Sequence, residues 1–196
     1  MRYAQIDKCE CCNGNNIGVS LFTQGCPIRC PHCHNASIWD FDGGKIWDKD
    51  AEQTVIDLLN KPYITRLSIL GGEPLLDRNI QELAYLCNHV KQLWPQKKIW
   101  LWSGYTWEKI YSLAYDDEVH RLSKNEWWDN RHKYYLSELL KNIDVLVDGP
   151  FIQEQKDITL KWRGSKNQRV IRCADTLRFG RYYDNQLISP PILYCE

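Results

Sequence analysis

The chain carries no excess charge of either sign: Lys plus Arg and Asp plus Glu each number 25 among 196 residues. Nucleic-acid binding driven by net charge is therefore disfavoured. No apolar run approaches the roughly 18 to 20 residues that span a bilayer, so no membrane partner is expected. The opening stretch MRYAQIDKCECCNGNN has no apolar segment ahead of a cleavage site, which argues against a secretory leader. Sequence repeats, low-complexity tracts and linkers are also missing. At roughly 100 to 200 residues per domain, these absences leave a single cytoplasmic domain over 1–196.

Cysteine, by contrast, is plentiful. Nine cysteines form an odd set in a compartment that keeps thiols reduced, so metal or redox chemistry is expected rather than a disulfide framework. The nine tryptophans and eleven tyrosines are dispersed along the chain and read as core and rim packing.

The hydrophobic pattern alternates between two periods. Strands are predicted at Ile17 to Thr23, Arg66 to Leu70, Ile99 to Trp102, Asp144 to Val147 and Gln168 to Arg172. Helices are predicted after a capping box at Asp50 and Gln53, over Ile80 to Trp94, over Trp107 to Ala114 and over Tyr134 to Lys141. This order implies an α/β fold with a mainly parallel sheet. Cys87 falls on the apolar side of its helix and reads as an inert core thiol. The segment 115–133, with Trp127 and Trp128, breaks the rhythm and reads as an insertion that either helps to dock a partner or serves as a lid or spacer with its tryptophans buried against its own helices. Beyond Pro150 the tail reads as an irregular closing segment.

Two constellations carry chemistry. Cys26, Cys30 and Cys33 stand as C-P-I-R-C-P-H-C just past a predicted strand. Three soft thiolates suit an iron-sulfur cluster, and a cubane held by three cysteines keeps one iron open to a ligand. A closed Cys3His zinc site using His32 or His34, in a regulatory module, is the competing reading. Gly71-Gly72-Glu73-Pro74 follows the next strand, where two residues without Cβ leave room for a ligand and a carboxylate can accept from a cationic amine. Cys9, Cys11 and Cys12 read as reduced strand or loop cysteines rather than a second cluster. Nothing pairs Cys173 with Cys195.

C-x3-C-x2-C followed by G-G-E-P resembles the signature of the radical S-adenosylmethionine enzymes. Cys33-His34-Asn35 is similar to the C-H-N of glycyl-radical activating enzymes. The stretches GVSLFTQGC, IWLWSGYTWE, DVLVDGPF and WRGSKNQRVI narrow the resemblance to the activating proteins of anaerobic (class III) ribonucleotide reductase. The resemblance implies an oxidoreductase built as a partial (β/α)6 barrel, with a [4Fe-4S] cluster on Cys26, Cys30 and Cys33 and S-adenosylmethionine on the open iron. It implies that Gly71, Gly72 and Glu73 receive the methionine amino end, that His32, Cys33 and His34 lie against the nucleoside, and that Ser103 contacts methionine or ribose. The implied partners are the reductase large subunit, at its glycyl-radical loop, and an electron donor such as reduced flavodoxin. Asp148 reads equally as a group facing the same mouth or as a turn carboxylate, and Arg163, Ser165, Asn167 and Gln168 as structural closure. A small-molecule radical enzyme such as a 7-carboxy-7-deazaguanine synthase shares the short fold and the cysteine signature, but it does not account for DGPF or RGS-x-NQR.

Overall fold

Four short apolar runs set the architecture. In the computed structural model, which describes residues 1–116, 130–179, 182–183, 186–187 and 190–194, they form β2 (Gly18–Thr23), β4 (Arg66–Gly71), β5 (Lys98–Trp102) and β6 (Val145–Asp148). All four are buried along most of their length, as expected of strands covered on both faces. They pair in parallel in that order, with Leu21 opposite Ile69 and Ile69 opposite Leu101. The connections hold α1 (Lys49–Leu59), α2 (Asp77–Leu93), α3 (Trp107–Tyr115) and α4 (Asn130–Asn142).

The margins of the sheet depart from the expected parallel pattern. β1 (Arg2–Glu10) pairs antiparallel with both β2 and β3 (Lys45–Ile46), and β7 (Arg169–Arg172) pairs antiparallel with β6. The result is a mixed seven-stranded sheet, β3-β1-β2-β4-β5-β6-β7, parallel only in its middle and not closed on itself. Six parallel β/α repeats are thus not what the described residues form. β1 escaped the sequence reading because its residues, RYAQIDKCE, are half-exposed or exposed throughout and carry no clean alternation. The tail is also more regular than expected, with α5 (Cys173–Phe179) following β7 directly.

One helix start differs too. Asp48, not Asp50, caps α1, its carboxylate accepting from the Ala51 N–H at 2.9 Å. Asp50 lies inside the first turn, where its charge complements the helix dipole.

Leu59, Leu67, Leu83, Leu101 and Leu139 are fully enclosed in the main core, together with Cys87 and Cys173, whose thiols burial drives far above their ordinary range. A smaller aromatic core centres on Trp100, whose ring lies 4.9 Å from Trp162 and 5.4 Å from Tyr194, centroid to centroid. Packing thus accounts for much of the tryptophan content. Trp127, Trp128 and Cys195 lie outside the described residues, as does most of the expected insertion. Among the described residues no helix is long and apolar enough to cross a membrane.

Arg66, at the start of β4, is fully buried and pins the amino-terminal loop. Its guanidinium donates to Asn13 O at 2.7 Å, to Asn16 O at 2.8 Å and to the Glu10 carboxylate at 2.5 Å. Glu10 in turn accepts from the Cys12 and Asn13 N–H groups and from Ser20 Oγ. Removing one partner strands a buried charge, so Glu10→Ala is expected to destabilise the fold by about 3 kcal/mol or more. Urea unfolding at neutral pH measures the loss.

Candidate functional site

The carboxyl ends of the four parallel strands converge on one cavity, the edge where parallel α/β sheets bind ligands. It is open to solvent, encloses about 640 Å³ of empty space and is walled by Cys26, Cys30, Cys33, Gly71, Gly72, Glu73 and Ser103.

Past β2 the chain turns at Gly25, whose φ of 91° is one that glycine adopts without strain. Gly25 N donates to Ile38 O at 2.9 Å and Cys26 N to Trp39 O at 3.1 Å, tying both ends of the cysteine loop together. Left-handed backbone at Arg29 and His32 coils the loop inside these ties. The return strap is held in place by Arg78, which stacks 5.4 Å from the Phe41 ring and donates to Phe41 O at 3.1 Å.

All three thiols are half-exposed within the cavity. Burial pushes Cys26 and Cys30 above the ordinary thiol range. Backbone N–H groups of Arg29 and Ile28 at Cys26, and of Phe151 at Cys30, offset part of that rise, while the Glu73 carboxyl adds to it. A metal centre bound by these thiols would have to displace protons, which would favour its assembly at higher pH. Among the described residues no three His, Cys, Asp or Glu side chains are close enough to share one ion. Three thiols spread around one cavity suit the separate irons of a cubane better than a closed zinc site.

The Gly-Gly-Glu segment is locked onto the cysteine loop. Gly72 N donates to Thr23 O and Glu73 N to Gly25 O, both at 2.8 Å. A Cβ on Gly72 would lie 2.2 Å from Gly25 O. The glycine is thus required by backbone packing, a stricter reason than room for a ligand.

Glu73 is fully buried with its carboxylate engaged by the protein. Ser103 Oγ donates to it at 2.8 Å, Gly104 N at 2.8 Å and Leu75 N at 3.0 Å. Ser103 therefore spends its hydroxyl on joining β5 to β4, and Tyr105 N donates back to that hydroxyl at 3.1 Å. Burial raises the Glu73 carboxyl to about 7, against the lowering effect of these three donors. In the cluster-free protein its contribution to stability is complete below the ordinary carboxyl range and is lost as pH rises through about 7. Glu73→Gln is expected to flatten that fall, seen as a urea midpoint that no longer declines between about pH 5 and 8.

His32 and His34 are exposed and do not wall the cavity, so the structure does not bring them together with the thiols. Asp148 faces away from it: Oδ2 accepts from Trp107 N at 2.6 Å and pairs with Arg169 at 2.5 Å, which makes it a buried structural carboxylate at the start of α3. The late segments gain physical roles. Gln168 accepts from Gly164 N at 2.9 Å and donates to Gly149 O at 3.0 Å, and Asn167 donates to Pro150 O at 2.7 Å. These bonds hold Phe151 beside Cys30. Asn35, Trp39, Trp102, Gly149, Phe151 and Gln168 also wall the cavity, and sequence reasoning assigned none of them to it. Trp102 and Gly149 were findable as residues at or just beyond strand carboxyl ends; Trp39 left no such signal.

Cys9, Cys11 and Cys12 are exposed at the opposite edge, where the loop after β1 meets Arg66 at the start of β4. They share nothing with the cavity.

Residues 12–171 match the family described as a 4Fe-4S single cluster domain. Relatives at 34% identity from Enterobacteria phage T4, 35% from Haemophilus influenzae and 36% from Vibrio cholerae cover 88 to 89% of this chain and 96 to 98% of their own lengths. Each is named an anaerobic ribonucleoside-triphosphate reductase-activating protein. With a family model over most of its length, relatives matched nearly end to end and three thiols placed around one cavity, the chain belongs to the anaerobic ribonucleoside-triphosphate reductase-activating proteins of the 4Fe-4S single cluster domain family.

Proposed function

We propose that the protein cleaves S-adenosylmethionine at a [4Fe-4S] cluster held by Cys26, Cys30 and Cys33, and installs a glycyl radical on anaerobic ribonucleoside-triphosphate reductase. The observation that carries this reading is the meeting of the three thiols and the Gly-Gly-Glu segment in one cavity at the carboxyl edge of the parallel strands. When bound, the cluster supplies one electron to the sulfonium, so that methionine leaves and a 5'-deoxyadenosyl radical takes a hydrogen atom from the partner's glycine.

The chain's own residues hold and orient. Cys26, Cys30 and Cys33 would hold the cluster, and three thiolates would leave one iron free for the methionine amino and carboxylate groups. Gly71 and Gly72 bring the end of β4 against the cysteine loop, so the methionine end meets backbone rather than side chains. Glu73 acts through Ser103 and Gly104, fixing the ends of β4 and β5 relative to each other. His32 and His34, exposed beside the cavity, are assigned to the nucleoside, and the open sheet to the partial barrel of radical S-adenosylmethionine enzymes. An open side suits a partner's glycine loop, and a cytoplasmic one-electron donor such as reduced flavodoxin would serve the cluster.

Anaerobically purified protein with S-adenosylmethionine and dithionite should give methionine and 5'-deoxyadenosine in equal amounts. Adding the reductase should produce a glycyl radical by electron paramagnetic resonance. Absence of iron and sulfide overturns the reading, and cleavage without any radical on the reductase redirects it to a small-molecule substrate.

A further inference from the structure

Between β6 and β7 the chain leaves the sheet at Gly149 and returns at Gln168, and both of these residues wall the cavity, as does Phe151. The excursion between them, 152–166, is bonded to itself and to the sheet. Ile152 N donates to Ser165 Oγ at 3.2 Å, Lys166 N to Gln155 O at 2.9 Å and Asp157 N to Gly164 O at 3.1 Å, so its two limbs run side by side. Trp162 ties it to β5: its carbonyl accepts from Trp102 Nε1 at 2.7 Å, and its ring packs against Trp100. At the tip the Asp157 carboxylate accepts from Thr159 N at 3.0 Å and from Thr159 Oγ1 at 2.6 Å.

This well-held tip presents Ile158 to solvent. Ile158 is 89% exposed, against 66% for Ile46, the next of the exposed large hydrophobic residues among the described residues. A single exposed apolar residue is ordinary, so its setting is what gives it weight. Lys156 and Lys161 flank it and are exposed, and Lys166 is largely so. Within 152–166 the cations Lys156, Lys161, Arg163 and Lys166 stand against the carboxylates Glu154 and Asp157, in a chain whose charges otherwise balance. The excursion is thus a basic arm with an apolar end, rooted in the cavity wall.

A hydrogen atom taken from a glycine of another polypeptide requires that glycine to enter the cavity, so the partner must lie over the cavity rim. A standard interface covers about 800 Å² on each partner, which carries it from the mouth onto what projects beside it. We infer that 152–166 docks the reductase, with Ile158 seated in an apolar recess of the reductase and Lys156 and Lys161 opposite carboxylates at the edge of that recess. The inference rests on the proposal that the reductase gives up the hydrogen atom. Burial of Ile158 supplies affinity, while the lysines supply orientation and encounter rate. The hydrogen bonds of the arm hold it in place beforehand, which lowers the ordering cost of binding.

The test follows the glycyl radical by electron paramagnetic resonance as reductase concentration is varied, using cluster-loaded protein, S-adenosylmethionine and dithionite without oxygen. Ile158→Asp should keep its iron, its sulfide and its cleavage of S-adenosylmethionine in the absence of reductase, because the side chain projects into solvent. Its half-saturating reductase concentration should rise about tenfold or more, the loss typical of an interface anchor. The double variant Lys156→Glu, Lys161→Glu should raise that concentration at low salt, and its difference from the natural protein should shrink as salt is added. An unchanged half-saturating concentration in either variant that keeps its iron overturns the inference and leaves the proposed function standing. If Ile158→Asp loses iron, the lysine variant decides by the same measurement. Natural protein that cleaves S-adenosylmethionine but forms no radical on the reductase overturns the proposed function and this inference together.

Discussion

Cys26→Ala, Cys30→Ala and Cys33→Ala are each expected to strip the protein of its iron and sulfide and to reduce S-adenosylmethionine cleavage to background. The three thiols wall one cavity and come from one loop, so among the described residues no other cysteine stands by to replace a lost ligand. Cys87 and Cys173 are enclosed in the core, and Cys9, Cys11 and Cys12 lie at the far edge of the sheet. A cubane held by only two of these thiolates would have two irons without a protein ligand and would be lost during purification. Cys9→Ala, Cys11→Ala and Cys12→Ala should keep full iron content, because these side chains are exposed and the loop is held by Arg66 and Glu10 rather than by sulfur. Iron and sulfide analysis of the six variants, purified without oxygen, decides the matter. Loss of iron from the amino-terminal variants would show that a second set of thiolates holds metal.

Gly72→Val should be nearly as damaging, and in a way that distinguishes two reasons for the glycine. If the residue only kept space for the methionine end, the variant would retain iron and bind S-adenosylmethionine weakly. The structure predicts a broader failure. A Cβ at this position lies 2.2 Å from Gly25 O and 2.8 Å from Gly25 C, atoms of a backbone fixed by the Gly25–Ile38 and Cys26–Trp39 hydrogen bonds. Backbone cannot give way as a side-chain tip can. Iron content should therefore fall together with thermal stability, by at least the roughly 1 to 3 kcal/mol typical of overpacking. Gly104→Ala is the milder comparison, because its Cβ would meet the end of the Ile28 side chain at 2.4 Å, an atom free to rotate away. Normal iron content in Gly72→Val would return the glycine to the ligand-space reading.

The cysteine loop, the Gly-Gly-Glu segment and the central strands were all legible in the amino-acid order. Each depends on local rules: thiolate spacing within one loop, glycines at a strand end, and apolar runs that must be buried on both faces. The helical period placed Cys87 in the core, and the resemblance to the activating proteins set the amino-terminal cysteines apart from the site. Other features depended on contacts between residues far apart in sequence. β1 was missed because its residues stay half-exposed or exposed along the whole strand, so its polarity is mixed. The capping residue of α1 differed because Asp48 and Asp50 both satisfy the composition rule, and only backbone geometry selects the one whose carboxylate meets an N–H. Glu73 and Ser103 both wall the cavity, and the fold also bonds them to each other across 30 positions of chain. Asp148 likewise bonds Trp107 and Arg169 from 41 and 21 positions away. Trp39 joins the cavity only because the strap after the cysteine loop folds back onto Cys26. The amino-acid order by itself thus determined which chemistry the chain can support, since ligand type and spacing are local. Only the tertiary structure decided which polar groups face the cavity and which are consumed in holding it, because a hydrogen-bond partner distant in sequence leaves no periodic trace.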